Sequence, residues 1–122
     1  MQGYILRGYA ESDLEFLIGL MRATIGDAVE QHIGPWEDSE SMLRKEIPAS
    51  ASEIVVVETG GEAVGFLWTV LREERLFLEE LHLDGAARGA GLGRMLMEEA
   101  ERQARAHGRS GLQLTVFKDS SA

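Results

Sequence analysis

The sequence predicts a mixed α/β domain with its elements in the order β-α-α-β-β-β-α-β. Three observations predict it. Apolar residues recur at helical spacing in two separated segments, Leu14 to Ile25 and Leu92 to Ala104. Between them, β-branched and apolar runs are folded back on each other by a Gly60-Gly61 pair. Late in the chain, a strand runs into a glycine-rich turn that opens a helix. The 122 residues, 44% of them hydrophobic, suffice for one modest core and are too few for two, so residues 1–122 read as a single domain.

Taken in order, Tyr4-Ile5-Leu6-Arg7-Gly8-Tyr9 reads as a short strand. Ser12-Asp13-Leu14-Glu15 reads as a helix start, with Ser12 as N-cap and Glu15 closing a capping box. Leu14, Leu17, Ile18, Met21 and Ile25 then form one apolar face, and Gly34-Pro35 breaks the helix before His32-Ile33. Ser39 to Ile47 predicts a second short helix stopped by Pro48. Ile54-Val55-Val56-Val57 suits a buried strand within residues 53–58. Thr59-Gly60-Gly61-Glu62 is the hairpin turn, Ala63 to Leu71 the return strand and Leu76 to Leu83 a further strand. Gly91 to His107 predicts a helix with Leu92, Met95, Leu96, Ala100 and Ala104 on one face, and with Gly108 near its C-cap. Leu112 to Val116 alternates as a last strand, and Lys118 to Ala122 approaches another helix.

Composition narrows the function. Charged residues at 27% and two prolines argue against disorder. No apolar stretch is long enough for a membrane span, and Met1-Gln2-Gly3-Tyr4 lacks signal-peptide and myristoylation features, so a cytoplasmic protein is expected. With no cysteine there is no disulfide framework, thiolate metal site or cysteine nucleophile. A net charge of −9 repels nucleic acid phosphates and favours a cationic small molecule, though acidity also serves solubility alone.

The stretch that carries chemistry is Leu78-Glu79-Glu80-Leu81-His82-Leu83-Asp84-Gly85-Ala86-Ala87-Arg88-Gly89-Ala90-Gly91-Leu92-Gly93. The first turn of a helix leaves N–H groups without partners and carries partial positive charge; glycines let a phosphate approach that backbone. An anion-binding turn apt for a pyrophosphate results. A Walker loop needs Gly-Lys-Ser/Thr, which Gly93-Arg94-Met95 does not supply. A dinucleotide turn needs a different glycine spacing, early in a parallel sheet. A glycine-rich loop without a ligand stays open on these grounds.

Arg88-Gly89-Ala90-Gly91-Leu92-Gly93 resembles the signature Q/R-x-x-G-x-G/A of the GNAT superfamily of acetyl-coenzyme A-dependent N-acetyltransferases. It also sits where that family places it, between the fourth strand and third helix. Leu81-His82-Leu83-Asp84 and Leu112-x-Leu-Thr-Val-Phe are similar to the family's fourth-strand end and fifth strand, and the element order matches from Gln2 to about Asp119. The resemblance implies an α+β fold: a mixed, largely antiparallel sheet flanked by helices. It implies acetyl-CoA as co-substrate, its pyrophosphate held by backbone amides of Arg88, Gly89, Ala90, Gly91, Leu92, Gly93 and Arg94. Leu81, His82 and Leu83 would pair with the pantetheine arm, and the Leu81 N–H would polarise the thioester carbonyl. The implied reaction is direct attack of a primary amine on the thioester.

That amine must lose a proton, which a carboxylate can accept. Alternation sends Glu79 and Glu80 to opposite faces, Glu79 with Phe77 and Leu81. Leu78-Glu79-Glu80-Leu81 also resembles the Leu-Glu-Asp of polyamine N-acetyltransferases, which implies Glu79 as base and Glu80 as a contact for a cationic chain. Both also fit solvated strand carboxylates. His82 falls on the other face from Glu79 and reads as structural, as do His32 and His107. No spacing argues for a metal. His32 to Asp38, between the first two helices, is where the resemblance implies an acceptor pocket, with Trp36 and Glu37 contacting substrate and Asp38 attracting an amine. Trp68, within an apolar strand, reads as core.

The family continues past its fifth strand with a fourth helix, carrying a tyrosine acid for the thiolate, and with further strands. This sequence ends at Ala122, so these are expected to be missing: the chain is a fragment or naturally short, or a partner chain completes the sheet. Tyr4 and Tyr9 cannot take that role. A sheet edge left open predicts self-association, as a homodimer. Three functions stand: an N-acetyltransferase for a small or polyamine-like amine, a non-catalytic CoA-binding or interaction module, and a protein N-acetyltransferase.

Overall fold

A computed structural model describes residues 3–73, 75–87, 89, 91–106 and 112–114. Its elements are β1 (Tyr4–Gly8), α1 (Leu14–His32), α2 (Trp36–Ala49), β2 (Ile54–Thr59), β3 (Glu62–Arg72), β4 (Arg75–Leu83), α3 (Leu92–Ala106) and β5 (Leu112–Leu114), in the predicted order. The sheet order is β1-β2-β3-β4-β5; the first four strands are antiparallel in sequence, and β5 runs parallel to β4. The mixed, largely antiparallel sheet is therefore as expected.

The sheet separates two apolar layers. On one face α1 and α2 pack Leu17, Ile18, Met21, Ile25, Trp36 and Ile47 against Ile54, Val56, Phe66 and Trp68. On the other, α3 packs Leu92, Leu96 and Ala100 against Val57, Leu67 and Leu78. The predicted faces of α1 and α3 are the buried ones, because residues three and four apart share one side of a helix. Gly60 and Gly61, with φ of 58° and 84°, make the β2–β3 turn, where two successive left-handed residues match the twist of the hairpin.

Three local expectations are corrected. Ser12 does not cap α1: a short 3-10 turn, Glu11–Asp13, precedes the helix. Asp13 closes that turn instead, its carboxylate accepting from the Ala10 N–H at 2.8 Å. Second, α2 begins at Trp36 rather than Ser39, because Pro35 in an extended conformation can lead a helix where no N–H is needed. Trp36 thus lies on a helix rather than in a loop. It is 2% exposed, and its indole Nε1 donates to Glu40 at 3.0 Å. Third, Pro48 does not stop α2 but sits inside its last turn; the Ser50 N–H closes that turn onto the Glu46 and Ile47 carbonyls. The expectations for His107, Gly108, Thr115, Val116 and Lys118 to Ala122 lie outside the described residues.

Asp13 also ties β1 to α1. It is 5% exposed and receives a bidentate pair from Arg7 Nη1 and Nη2 at 2.8 and 2.9 Å. Arg7 Nε donates to Glu58 on the neighbouring β2 at 2.5 Å. The Arg7 hydrogen bonds hold the Asp13 carboxyl below its usual range against the opposing effect of burial. Asp13→Ala is expected to cost about 2 kcal/mol, since it leaves a partly buried guanidinium without its best partner. A lowered native value means this contribution is whole above about pH 4 and fades as pH falls through the native value. Urea denaturation of parent and variant at neutral and acid pH checks both; a difference that persists unchanged into acid removes the assignment.

Candidate active site

The site grows from one irregularity in the β3–β4 ladder. Thr69 pairs with Leu78, but the next residue, Trp68, pairs with Glu80, so Glu79 is the extra residue of a β-bulge. A bulge sets two residues opposite one and re-aims the strand. Cross-strand partners share a face, so Glu80 opposite Trp68 and His82 opposite Phe66 lie on the α1 side. Leu78 and Leu81 pack with the α3 layer. The bulge has reversed the alternation between them.

That overturns the expected distribution. Glu79 does keep company with Phe77: its Oε1 lies 3.3 Å from Arg72 Nη2, and the Arg72 guanidinium sits 5.9 Å from the Phe77 ring centre. Leu81, however, is on the opposite face, while Glu80 and His82 are not separated from the Phe77 side. Strict period-two alternation holds only for an unbroken ladder. His82 Nε2 is 2.5 Å from Glu80 Oε1, and its Nδ1 is 2.7 Å from Thr24 Oγ1 on α1. Thr24 and Arg72 were not anticipated as site neighbours. The available signal for Thr24 was a hydroxyl three residues after Met21, flanking the apolar stripe of α1; a bulge leaves no such signal.

Past the bulge, Leu81 pairs with Leu67 and Leu83 with Gly65 of β3, while β5 pairs only with Leu76 to Leu78 among the described residues. The strand reaches its end where Asp84 N–H bonds the Val64 carbonyl at 2.8 Å. β3 comes close here only because Gly65 has no side chain: a Cβ would stand 2.7 Å from the His82 carbonyl oxygen and 2.6 Å from Leu83 Cδ2. Gly65→Ala is therefore expected to destabilise by about 2 kcal/mol, because a backbone atom cannot swing aside as a rotamer can. Chemical denaturation measures it, and parent-like stability would show that β3 and β4 separate freely.

A 3-10 turn, Gly85–Ala87, then leads to α3. Gly89 and Gly91 have φ of 83° and 81°, left-handed values that favour glycine. Arg88 and Ala90 lie outside the described residues. The first α3 bond among the neighbouring turns is Met95 N–H to the Gly91 carbonyl at 3.1 Å, so the N–H groups of Leu92, Gly93 and Arg94 precede the helical ladder. Leu92 is buried, and a Cβ at Gly93 would meet only Leu83 Cδ1, at 3.8 Å. Arg94 is exposed, 3.8 Å from Glu98. The helix opening thus offers amide groups, little steric cover and a cation, which fits an anionic ligand.

Trp36 is buried, as described above, and Glu37 is exposed in the first turn of α2. The fold does not gather Trp36 with the β4 carboxylates by any described hydrogen bond. A shallow, solvent-open depression of about 550 Å³ is lined by Leu6 of β1 and by α3 side chains including Met95, Glu99 and Arg102. It contains none of the anticipated catalytic residues. Among the described residues, the candidate site is a strand edge and a helix opening.

Residues 20–122 match the family model described as the acetyltransferase (GNAT) family. The chain belongs to the GNAT acetyltransferase family. It is accordingly an acyl-CoA-dependent N-acyltransferase with acetyl-CoA as co-substrate. Solved structures agree in fold. A transcriptional regulator from Bacillus halodurans C-125 is 26% identical, with a TM-score of 0.70 over 94% of this chain and 83% of its own. The PaiA N-acetyltransferase from Thermoplasma acidophilum, solved with coenzyme A, is 23% identical, with a TM-score of 0.73 over 97% of this chain and 82% of its own. N-acetylglutamate synthase from Neisseria gonorrhoeae is 19% identical, with a TM-score of 0.73 over 89% of this chain and 24% of its own. No protein of curated function matches significantly. No helix among the described residues is long and apolar enough to cross a membrane.

Proposed function

We propose that this GNAT chain acetylates a primary amine of a small, polyamine-like molecule by direct attack, with Glu79 as general base. The observation that carries the reading is the bulge at Glu79, on the strand that leads through Leu83 to the helix opening that suits the pyrophosphate. Bound acetyl-CoA supplies the thioester. The amides of Leu92, Gly93 and Arg94, with the loop from Arg88 to Gly91, hold its pyrophosphate, and the backbone of Leu81, His82 and Leu83 orients its arm. The Leu81 N–H would polarise the thioester carbonyl, where charge develops. Glu79 takes the proton that the ammonium must lose; the N–C bond then forms as the C–S bond breaks, and the second proton, shed by the acylated nitrogen, ends on the thiolate.

Glu79 suits this role because its one described partner, Arg72, is 62% exposed and the pair is open to solvent, so the carboxylate is readily released. Glu80 is bound more firmly and serves as an acidic contact. Glu37, exposed at the start of α2, adds negative charge for a cationic acceptor. Exposed Ile5 and Leu6 on the edge strand β1 support self-association.

The test is a single-turnover assay with acetyl-CoA and a panel of polyamines, monoamines and peptides with free N-termini. Transfer to the polyamines supports the reading. Transfer to peptides alone would replace it with protein N-acetylation, the activity borne by the ribosomal-protein-S18-alanine N-acetyltransferase of Escherichia coli, a structural neighbour. Coenzyme A binding with no transfer would make the chain a binding module.

A further inference from the structure

His82 is 7% exposed and is held from both ring nitrogens. A 2.5 Å approach of Nε2 to a carboxylate oxygen requires a hydrogen between them, and Nε2 supplies it when Glu80 accepts. At the other end, Thr24 Oγ1 stands 2.7 Å from Nδ1 and 3.0 Å from the Leu20 carbonyl. The hydroxyl either donates to Nδ1, or accepts from it and donates to Leu20. Both arrangements tether the ring to α1. The Phe66 ring, 5.3 Å away centre to centre, packs beside it.

The consequence falls on Glu80. One oxygen is fixed by His82, the side chain is 22% exposed, and its other oxygen takes no hydrogen bond among the described residues. A carboxylate held this way has little freedom left to lose on meeting a cation. Its neighbour Glu79, tied among the described residues only to an exposed arginine, is not so held.

We propose that His82 and Thr24 are positioning residues that lock Glu80 as the anchor for a second cationic centre of the acceptor, so that a diamine is preferred over a monoamine. This rests on the amine-acetylation reading above. The test compares acetylation of putrescine and butylamine by the parent, His82→Asn and His82→Gln. An Asn amide reaches toward Thr24 but falls short of Glu80; a Gln amide nitrogen stands in for Nε2.

His82→Asn is expected to raise the ratio of the putrescine KM to the butylamine KM about tenfold, the value of one charge-assisted hydrogen bond. His82→Gln is expected to restore most of the loss. Equal effects on both amines, or a Gln variant no better than Asn, would mean His82 only packs, and would overturn the inference while leaving amine acetylation standing. If the parent acetylates neither amine, the functional reading itself fails and this inference falls with it. Thermal unfolding of each variant separates lost positioning from lost folding.

Discussion

Glu79→Gln is expected to slow acetyl transfer about a hundredfold, near 2.7 kcal/mol of barrier, with acetyl-CoA affinity unchanged. The amide keeps the size and the hydrogen-bonding reach of the carboxylate but cannot take a proton from an ammonium. The bulge is what makes the expectation specific: Glu79 has no cross-strand partner of its own, and its Arg72 contact at 3.3 Å is on the surface. Removing it disturbs no buried network. Single-turnover rates for Glu79→Gln and Glu80→Gln decide between the two carboxylates. Loss confined to Glu80→Gln moves the base one residue along the strand. Parent-like rates in both remove carboxylate base catalysis altogether.

Gly91→Trp is expected to abolish acetyl-CoA binding in calorimetry, a loss of at least about a hundredfold. Two effects act together. The backbone at Gly91 has φ of 81°, which any side chain adopts only with strain of about 1 kcal/mol. An indole there would also overhang the amides of Leu92, Gly93 and Arg94, the groups available to a pyrophosphate. Gly91→Ala keeps the strain and drops the bulk, so an intermediate loss is expected. Gly91 is exposed, so the fold should survive either change. Undiminished affinity in Gly91→Trp would take the pyrophosphate away from this turn.

The elements were legible because each rests on local pattern. The 3.6-residue stripe of α3 needs only Leu92, Leu96, Ala100 and Ala104 to be read, and all four are buried. The Gly60-Gly61 turn needs only the rarity of left-handed backbone in other residues. Boundaries were less legible. Ser12 lost the cap to Asp13 because Arg7, from β1, stabilises the carboxylate where it can reach Ala10. Trp36 went to the core because α1 and the sheet offered it a place, and α2 lengthened to carry it.

The candidate site divides along the same line. By itself, the sequence determined the fold order, the family through Arg88 to Gly93, and the presence of two adjacent carboxylates before the glycine turn. Those depend on which residues follow which along the chain. Only the tertiary structure decided where the carboxylates point. The bulge at Glu79 arises from the pairing of β4 with β3, and the grip on Glu80 comes from a threonine fifty-eight positions away from His82. Alternation assumes a regular ladder, and contacts between distant segments exist only once the sheet has closed against α1. That is why Glu80 and His82 could be named from the sequence, but their union with Thr24 could not.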